Sequence, residues 1–197
     1  MAVSLARQMA TSPADPIPVH TGPWTEADLL VLPDDGQRHE LVEGSLVVSP
    51  PPAGRHQGVA SRLLRRLADQ APPNLEVVET LGVRISGGSV LVPDLLVATR
   101  DALWSNESGI LDPVAVLLVI EIVSPGSVTM DRRTKPALYA QAEIPSFWRV
   151  ELEADLSVVT YRLDMGSYAA EESAGRGDTL KVSTPFPISL DPADLVL

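Results

Sequence analysis

Apolar and polar positions alternate along this chain in short segments, and their spacing predicts where strands and helices lie. Period-two alternation around a Glu-Gly turn predicts a hairpin, whereas apolar positions at helical spacing predict a helix that stops before a Pro-Pro pair. Two later segments are rich in β-branched side chains and predict strands on either side of a Gly-Gly turn. These predicted elements are a hairpin over 38–50, a helix over 54–71, and strands over 75–86 and 90–100.

The second half of the chain begins with a nearly unbroken apolar run, VAVLLVIEIVS at 114–124, which is typical of a central strand covered on both faces. Residues 131–144 predict a helix whose regular part begins close to Pro136. Four short strands follow as a meander over 147–185. This order predicts an α/β (α+β) fold: a mixed central sheet flanked by helices, with an N-terminal hairpin and a C-terminal strand meander.

Composition narrows the class of protein. The chain has 197 residues, of which 45% are hydrophobic, and it contains no cysteine, which excludes a disulfide-stapled secreted module and a disordered chain. No apolar run approaches the roughly 20 residues that span a bilayer, and the N-terminus lacks a secretory signal pattern. We therefore expect a cytoplasmic protein without a membrane partner, with a flexible proline-rich arm at 1–23 and one domain at 24–197.

Charge is unevenly distributed. The formal net charge of -11 argues against a protein that coats nucleic acid through a uniformly basic surface. Residues 55–66, however, carry four arginines and no acidic side chain. Only two of the 15 basic residues are lysines, Lys135 and Lys181. Because arginine supplies positive charge elsewhere in the chain, this bias favours a role for these two residues that needs an amine.

Glu121 interrupts the central-strand run, where both faces of the strand should be buried. A buried carboxylate must be protonated, paired or bound to a metal, and the simplest alternative is an ion pair that closes the strand end. Asp94 follows a proline at the head of another apolar strand. If the two strands are neighbours, the carboxylates lie side by side, and their repulsion either raises the pKa of one of them or favours binding of a cation. Hard oxygen ligands suit Mg²⁺ or Mn²⁺, and the absence of cysteine argues against zinc.

Lys135 shares one face of the predicted helix with Leu138, Tyr139 and Ala142, so we expect it to point inward. The alternatives are a snorkelling lysine and an ordinary salt bridge. In the hairpin, Glu40 is the better candidate to face a site, because Glu43 precedes the turn glycine.

The helix at 54–71 offers two further candidates. His56 lies in its apolar stripe, either as a hydrogen-bonded core histidine or above the same opening in the sheet. Three arginines lie within about 40° of one another around the helix, either as solvated surface or as a phosphate-binding row. They are Arg55, Arg62 and Arg66.

Three blocks of this sequence together resemble a known family. HELVEGSLVVSPPPAGRHQ, VPDLLV and LLVIEIVSPGSVTMDRRTKPALYAQAEIPSFWRVE are similar, in order and spacing, to the bacterial restriction endonuclease family called Uma-two (Uma2). That family is a branch of the PD-(D/E)XK nuclease superfamily. The resemblance extends from about residue 24 to about residue 185.

The resemblance implies a role for each matching residue. Asp94 and Glu121 would hold Mg²⁺ or Mn²⁺ together with the Ile122 carbonyl. Val123 occupies the position where the superfamily has its lysine, and Lys135 matches the position to which this branch moved it.

The remaining implied roles are accessory. Glu40 matches the family's ELxxG glutamate, and His56 its GRHQ histidine, while Tyr139 could bind a phosphate. The implied activity is metal-dependent endonuclease cleavage of nucleic acid, DNA above all, with the three arginines guiding the backbone. A non-catalytic regulatory protein on the same scaffold and a hydrolase of smaller phosphate esters stay open, as does a homodimer paired through 147–185.

Overall fold

Thirteen strands and four helices make up the described part of the chain, which a computed structural model covers at residues 17, 19–85, 88–153 and 155–196. Most of the predicted N-terminal arm lies outside these residues. The helices are α1 (Glu26–Leu30), α2 (Gly54–Ala68), α3 (Arg100–Trp104) and α4 (Lys135–Gln141). The strands are β1 (Arg38–Val42), β2 (Ser45–Ser49), β3 (Leu75–Glu79), β4 (Gly82–Ile85), β5 (Ser89–Leu91), β6 (Leu95–Thr99), β7 (Ile110–Leu111), β8 (Val116–Val123), β9 (Ser146–Glu151), β10 (Ser157–Asp164), β11 (Ser167–Ala174), β12 (Leu180–Val182) and β13 (Ile188–Leu190).

A six-stranded mixed sheet forms the centre, in the order β3-β6-β8-β9-β10-β11. Strand β8 runs antiparallel to β6 and parallel to β9. Seven of the eight residues of β8 are buried, as its unbroken apolar run predicts for a central strand. The predicted mixed sheet with flanking helices, the N-terminal hairpin β1–β2 and a C-terminal meander, β9–β10–β11, are thus confirmed. The fourth strand predicted for that meander is not part of it, because β12 pairs with β13 in a separate two-stranded sheet.

Different layers cover the two faces of this sheet. On one face, the apolar stripe of α2, including Leu63, packs with Ile120 and Ile122 of β8, and the hairpin β12–β13 completes that core. On the other face, α4 and a five-stranded sheet of order β2-β1-β5-β4-β7 pack against Val119 and Phe147. Among the described residues, no helix is long and apolar enough to cross a bilayer.

Two single strands predicted from the sequence, over 75–86 and 90–100, are each divided between the two large sheets. The first breaks at Thr80, whose φ of 51° is incompatible with a continuous strand. The second breaks at Val92 and Pro93, because proline cannot donate to a sheet ladder. The prediction of continuous strands was therefore wrong, and the two breaks lie together: the Thr80 N–H donates to the Asp94 carbonyl.

The helix predicted over 131–144 is shorter and less regular than expected. A π-helical turn at Met130–Thr134 precedes α4, which begins at Lys135 just before Pro136. Such turns interrupt α-helices most often near functional sites. Lys135, Leu138 and Tyr139 are all buried, so the expected inward face is confirmed.

Candidate active site

Four ionisable side chains from four separate segments meet between the two large sheets. Glu40 comes from β1, Asp94 from the break before β6, Glu121 from β8 and Lys135 from the first residue of α4. Each is at most 4% exposed. The sequence identifies all four as candidates, and the structure brings them together.

The strand pairing explains how Asp94 and Glu121 become neighbours. Strand β6 pairs with β8 so that Leu95 lies opposite Ile120, which leaves Asp94 just beyond the end of the ladder. There its Oδ2 accepts the Ile122 N–H at 2.8 Å. Glu121 is adjacent to that peptide group, and both carboxyl groups occupy the same opening.

Asp94 is held as an anion by cationic and polar neighbours. His56 Nε2 lies 3.1 Å from Oδ2, and Arg38 Nη2 lies 2.8 Å from Oδ1. Burial opposes ionisation, but the hydrogen bond from His56 and the charge of Arg38 outweigh it and lower the pKa of Asp94 to about 2. The structure thus places His56 at the site rather than in the apolar core alone.

Glu121 lies in the least hydrated part of the site. Its Oε1 accepts the Tyr139 hydroxyl at 2.6 Å and lies 3.1 Å from Lys135 Nζ. Burial raises the pKa of Glu121 well above its ordinary value, and the attraction of Lys135 only partly offsets this. Tyr139 therefore contacts a site carboxylate, while the phosphate contact that the family resemblance implies stays a prediction.

Lys135 joins the two glutamates. Its Nζ lies 2.9 Å from Glu40 Oε1, and the same oxygen accepts the Val92 N–H at 2.8 Å. Burial lowers the pKa of Lys135, but the two carboxylates more than compensate and raise it, so the amine stays charged. Glu43 lies exposed at the hairpin turn, in agreement with the choice of Glu40.

Sequence reasoning missed two residues of the site. Arg38 contacts Asp94, and its position two residues before Glu40, on the same face of β1, is a signal that could have found it. Asp131 is buried one turn before Lys135 and accepts the hydroxyl of Ser127. Burial raises the pKa of Asp131 to about 6. Its place on the inward helical face was visible, but no charge role was assigned to it.

The predicted arginine row does not reach these carboxylates. Arg66 Nη2 lies 3.1 Å from Asp194 Oδ2, and Arg62 Nη1 donates to the Gly58 carbonyl at 2.9 Å. Arg55 is exposed. Because Arg66 is already paired with an acid, the row is less cationic than the sequence suggests.

A cleft of about 570 Å³ leads to one side of the site. Its lining includes Arg38, His56 and Asp94, together with the three prolines at 50–52. Glu40, Glu121 and Lys135 do not line it and lie deeper. A molecule in this cleft therefore meets the Asp94 side of the site first.

The donor set fits a hard divalent cation. Asp94 Oδ1 is buried and faces the Arg38 guanidinium, whose Nη2 lies 2.8 Å away. A carboxylate oxygen that faces positive charge in this way can also face a divalent cation. Oxygen ligands suit Mg²⁺ or Mn²⁺. Within the described residues, no group of three or more His, Asp or Glu side chains is arranged to hold a metal, so such a site would rest on two carboxylates.

Comparisons with known proteins agree on a family and a fold. A family model, Uma2, described as "Putative restriction endonuclease", matches residues 26–194. A solved structure from Anabaena variabilis, described as a "putative nuclease belonging to DUF820", is 21% identical with a TM-score of 0.69. The similarity covers 88% of this chain and 97% of that chain, and it shows the fold. A search of curated proteins found no match.

Proposed function

The chain belongs to the Uma2 family, and from that premise we propose that it is a metal-dependent endonuclease that hydrolyses phosphodiester bonds of nucleic acid, DNA in the first instance. One observation carries the proposal: Asp94, Glu121 and Lys135 converge in a buried opening of the sheet that a cleft reaches at the Asp94 side. The buried Asp94 carboxylate, whose Oδ1 already faces the positive charge of Arg38, supports a metal there.

Asp94 and Glu121, with the Ile122 carbonyl, are the groups that would hold Mg²⁺ or Mn²⁺. The bound ion would lower the pKa of a water and polarise the phosphate. His56 and the Ile122 N–H fix the orientation of Asp94, since both contact its Oδ2. Tyr139 does the same for Glu121 through its hydroxyl. These second contacts keep the ligand oxygens in place before substrate arrives.

Lys135 supplies fixed positive charge where negative charge develops. Hydrolysis adds a water to phosphorus, breaks one P–O ester bond and leaves extra charge on the phosphate oxygens during the reaction. Lys135 Nζ forms ion pairs with Glu40 and Glu121, and an ammonium has three N–H groups, so a third is left for a water or phosphate oxygen. Such preorganised charge stabilises a transition state most effectively in a dry site.

A cleavage assay tests this function. Supercoiled plasmid, single-stranded DNA and RNA are each incubated with the protein in Mg²⁺, in Mn²⁺ and in EDTA. We expect cleavage with metal only, and a loss of about 100-fold or more in Lys135→Met and in Glu121→Gln. Lys181→Met and Glu107→Gln are matched controls, because both side chains are exposed and lie outside the site.

The controls separate the possible outcomes. Cleavage that persists in Lys135→Met and Glu121→Gln would place the activity in a contaminant or elsewhere in the chain. Metal binding without cleavage of any of the three substrates would instead favour a regulatory protein on the same scaffold. Equal losses in the control variants would show that the assay reports protein quality rather than chemistry.

A further inference from the structure

Arg38 is the cation nearest to the solvent side of the site. It opens β1, and its Nη2 lies 2.8 Å from Asp94 Oδ1. Its side chain is 20% exposed, whereas that of Lys135 is 4% exposed. Because Arg38 lines the cleft and Lys135 does not, an anion that enters meets the guanidinium first.

The Arg38 guanidinium is held in place, but not all of its N–H groups have acceptors. Of its five N–H groups, one on Nη1 donates weakly to the Val92 carbonyl at 3.4 Å. A second N–H, on Nη2, faces Asp94 Oδ1 at 2.8 Å. Three N–H groups therefore have no acceptor among the described residues, and a planar guanidinium can present such groups to the oxygens of a phosphate.

The charge of Arg38 also opposes any divalent cation at the same carboxylate. Two cations cannot share Asp94 Oδ1 without repulsion. While no divalent cation is bound, the guanidinium is the positive charge that faces Asp94 Oδ1, at 2.8 Å. With a cation present, that ion pair is weakened, and the guanidinium gains a partner only if an anion arrives.

We propose that Arg38 binds a phosphate group of the nucleic-acid substrate at the mouth of the cleft, and that it competes with the divalent cation for Asp94 until the substrate is present. This inference rests on the proposed function, since it assumes a phosphodiester substrate. This competition makes metal and substrate binding cooperative. A bound cation frees Arg38 to bind phosphate, and a bound phosphate removes the guanidinium that competes with the cation for Asp94.

A purely structural ion pair makes the opposite prediction. If Arg38 only holds Asp94 in position, its removal disorders the carboxylate and weakens metal and substrate binding together. If it competes for Asp94 and binds phosphate, its removal strengthens metal binding and weakens substrate binding. The two roles therefore predict opposite changes in metal affinity when Arg38 is removed.

Arg38→Met and Arg38→Lys are the test variants, and Arg100→Met is the matched control. Arg100 Nε also lies 2.9 Å from a carboxylate, that of Glu76, but at the opposite end of β6. Mn²⁺ binding is measured by calorimetry, and binding of a dye-labelled single-stranded oligonucleotide by fluorescence anisotropy in Ca²⁺. A gel after each titration checks that the oligonucleotide is intact, and circular dichroism checks that each variant is folded.

We expect Arg38→Met to bind Mn²⁺ about tenfold more tightly and the oligonucleotide about tenfold more weakly than wild type. Arg38→Lys, which keeps the charge but loses the fork, should fall between wild type and Arg38→Met in both measurements. Arg100→Met should match wild type. Weaker Mn²⁺ binding in folded Arg38→Met overturns the inference, as does unchanged oligonucleotide binding.

The assay also separates this inference from the proposed function. A wild-type protein that binds the oligonucleotide but cleaves nothing in Mg²⁺ or Mn²⁺ contradicts the nuclease proposal, while the two affinities still decide the role of Arg38. A wild-type protein that cleaves in Mg²⁺ or Mn²⁺ but binds no oligonucleotide overturns the inference and leaves the nuclease proposal standing.

Discussion

Removing the amine of Lys135 should destabilise the protein, and by an amount that depends on pH. Lys135 is 3% exposed and lies 2.9 Å and 3.1 Å from the carboxylates of Glu40 and Glu121. Lys135→Met leaves both buried acids without their shared counterion. Breaking a buried pair in this way costs about 3–5 kcal/mol of unfolding free energy. In a chain of this length, that loss corresponds to a fall in Tm of about 6–20 °C.

The pH dependence follows from Glu121. Burial raises the pKa of Glu121 in the folded protein, and loss of Lys135 removes the charge that lowers it. A group with a raised folded pKa binds more protons when folded, so its contribution is present at low pH and is lost as pH rises. The deficit of Lys135→Met should therefore be largest near pH 8 and smallest near about pH 5.

Urea unfolding in EDTA, followed by circular dichroism from about pH 5 to about pH 8, measures this deficit without bound metal. Lys181→Met should stay within about 0.5 kcal/mol of wild type, because that lysine is exposed. The double variant Lys135→Met/Glu121→Gln should recover part of the loss, since it removes one of the two uncompensated charges. A deficit that is absent, or that grows as pH falls, would refute the reasoning.

Three other outcomes are expected. Asp131, with a folded pKa of about 6, should make wild type gain stability over Asp131→Asn as pH falls below about 6, measured by urea unfolding at each pH. Tyr139→Phe loses the 2.6 Å hydrogen bond to Glu121 and should cost about 1.5–3 kcal/mol in the same assay; a neutral result would mean that Glu121 is protonated and finds another partner. Asp94→Asn should weaken Mn²⁺ binding at least about tenfold by calorimetry, whereas Asp69→Asn, on an exposed helix end, should not; equal Mn²⁺ binding in both would remove Asp94 from the metal site.

The candidate site was largely predictable because its signals are local. Glu121 places a carboxylate inside an apolar strand run, and Asp94 places one directly after a proline. Each breaks the expected pattern at a single position. The face of Lys135 followed from helical periodicity, even though the π-helical turn at 130–134 changes the phase before it. That turn does not alter the spacing of the residues after Lys135.

The rest depended on which segments pack together. The break at Thr80 moves the chain from one sheet to the other, and no turn motif in the sequence marks it. The pairing of Arg66 with Asp194 joins residues more than a hundred positions apart. Arg38 shares a face of β1 with Glu40, but its partner was not predictable, because its contact with Asp94 forms only when β1 lies across the break before β6.

The dispersal of the site along the chain has a consequence for biosynthesis. Its ionisable groups extend from Arg38 to Tyr139, and β8, which carries Glu121, is completed on one side only when β9 ends at residue 151. A chain emerging from the ribosome therefore carries no assembled site until the residues through 151 have been made.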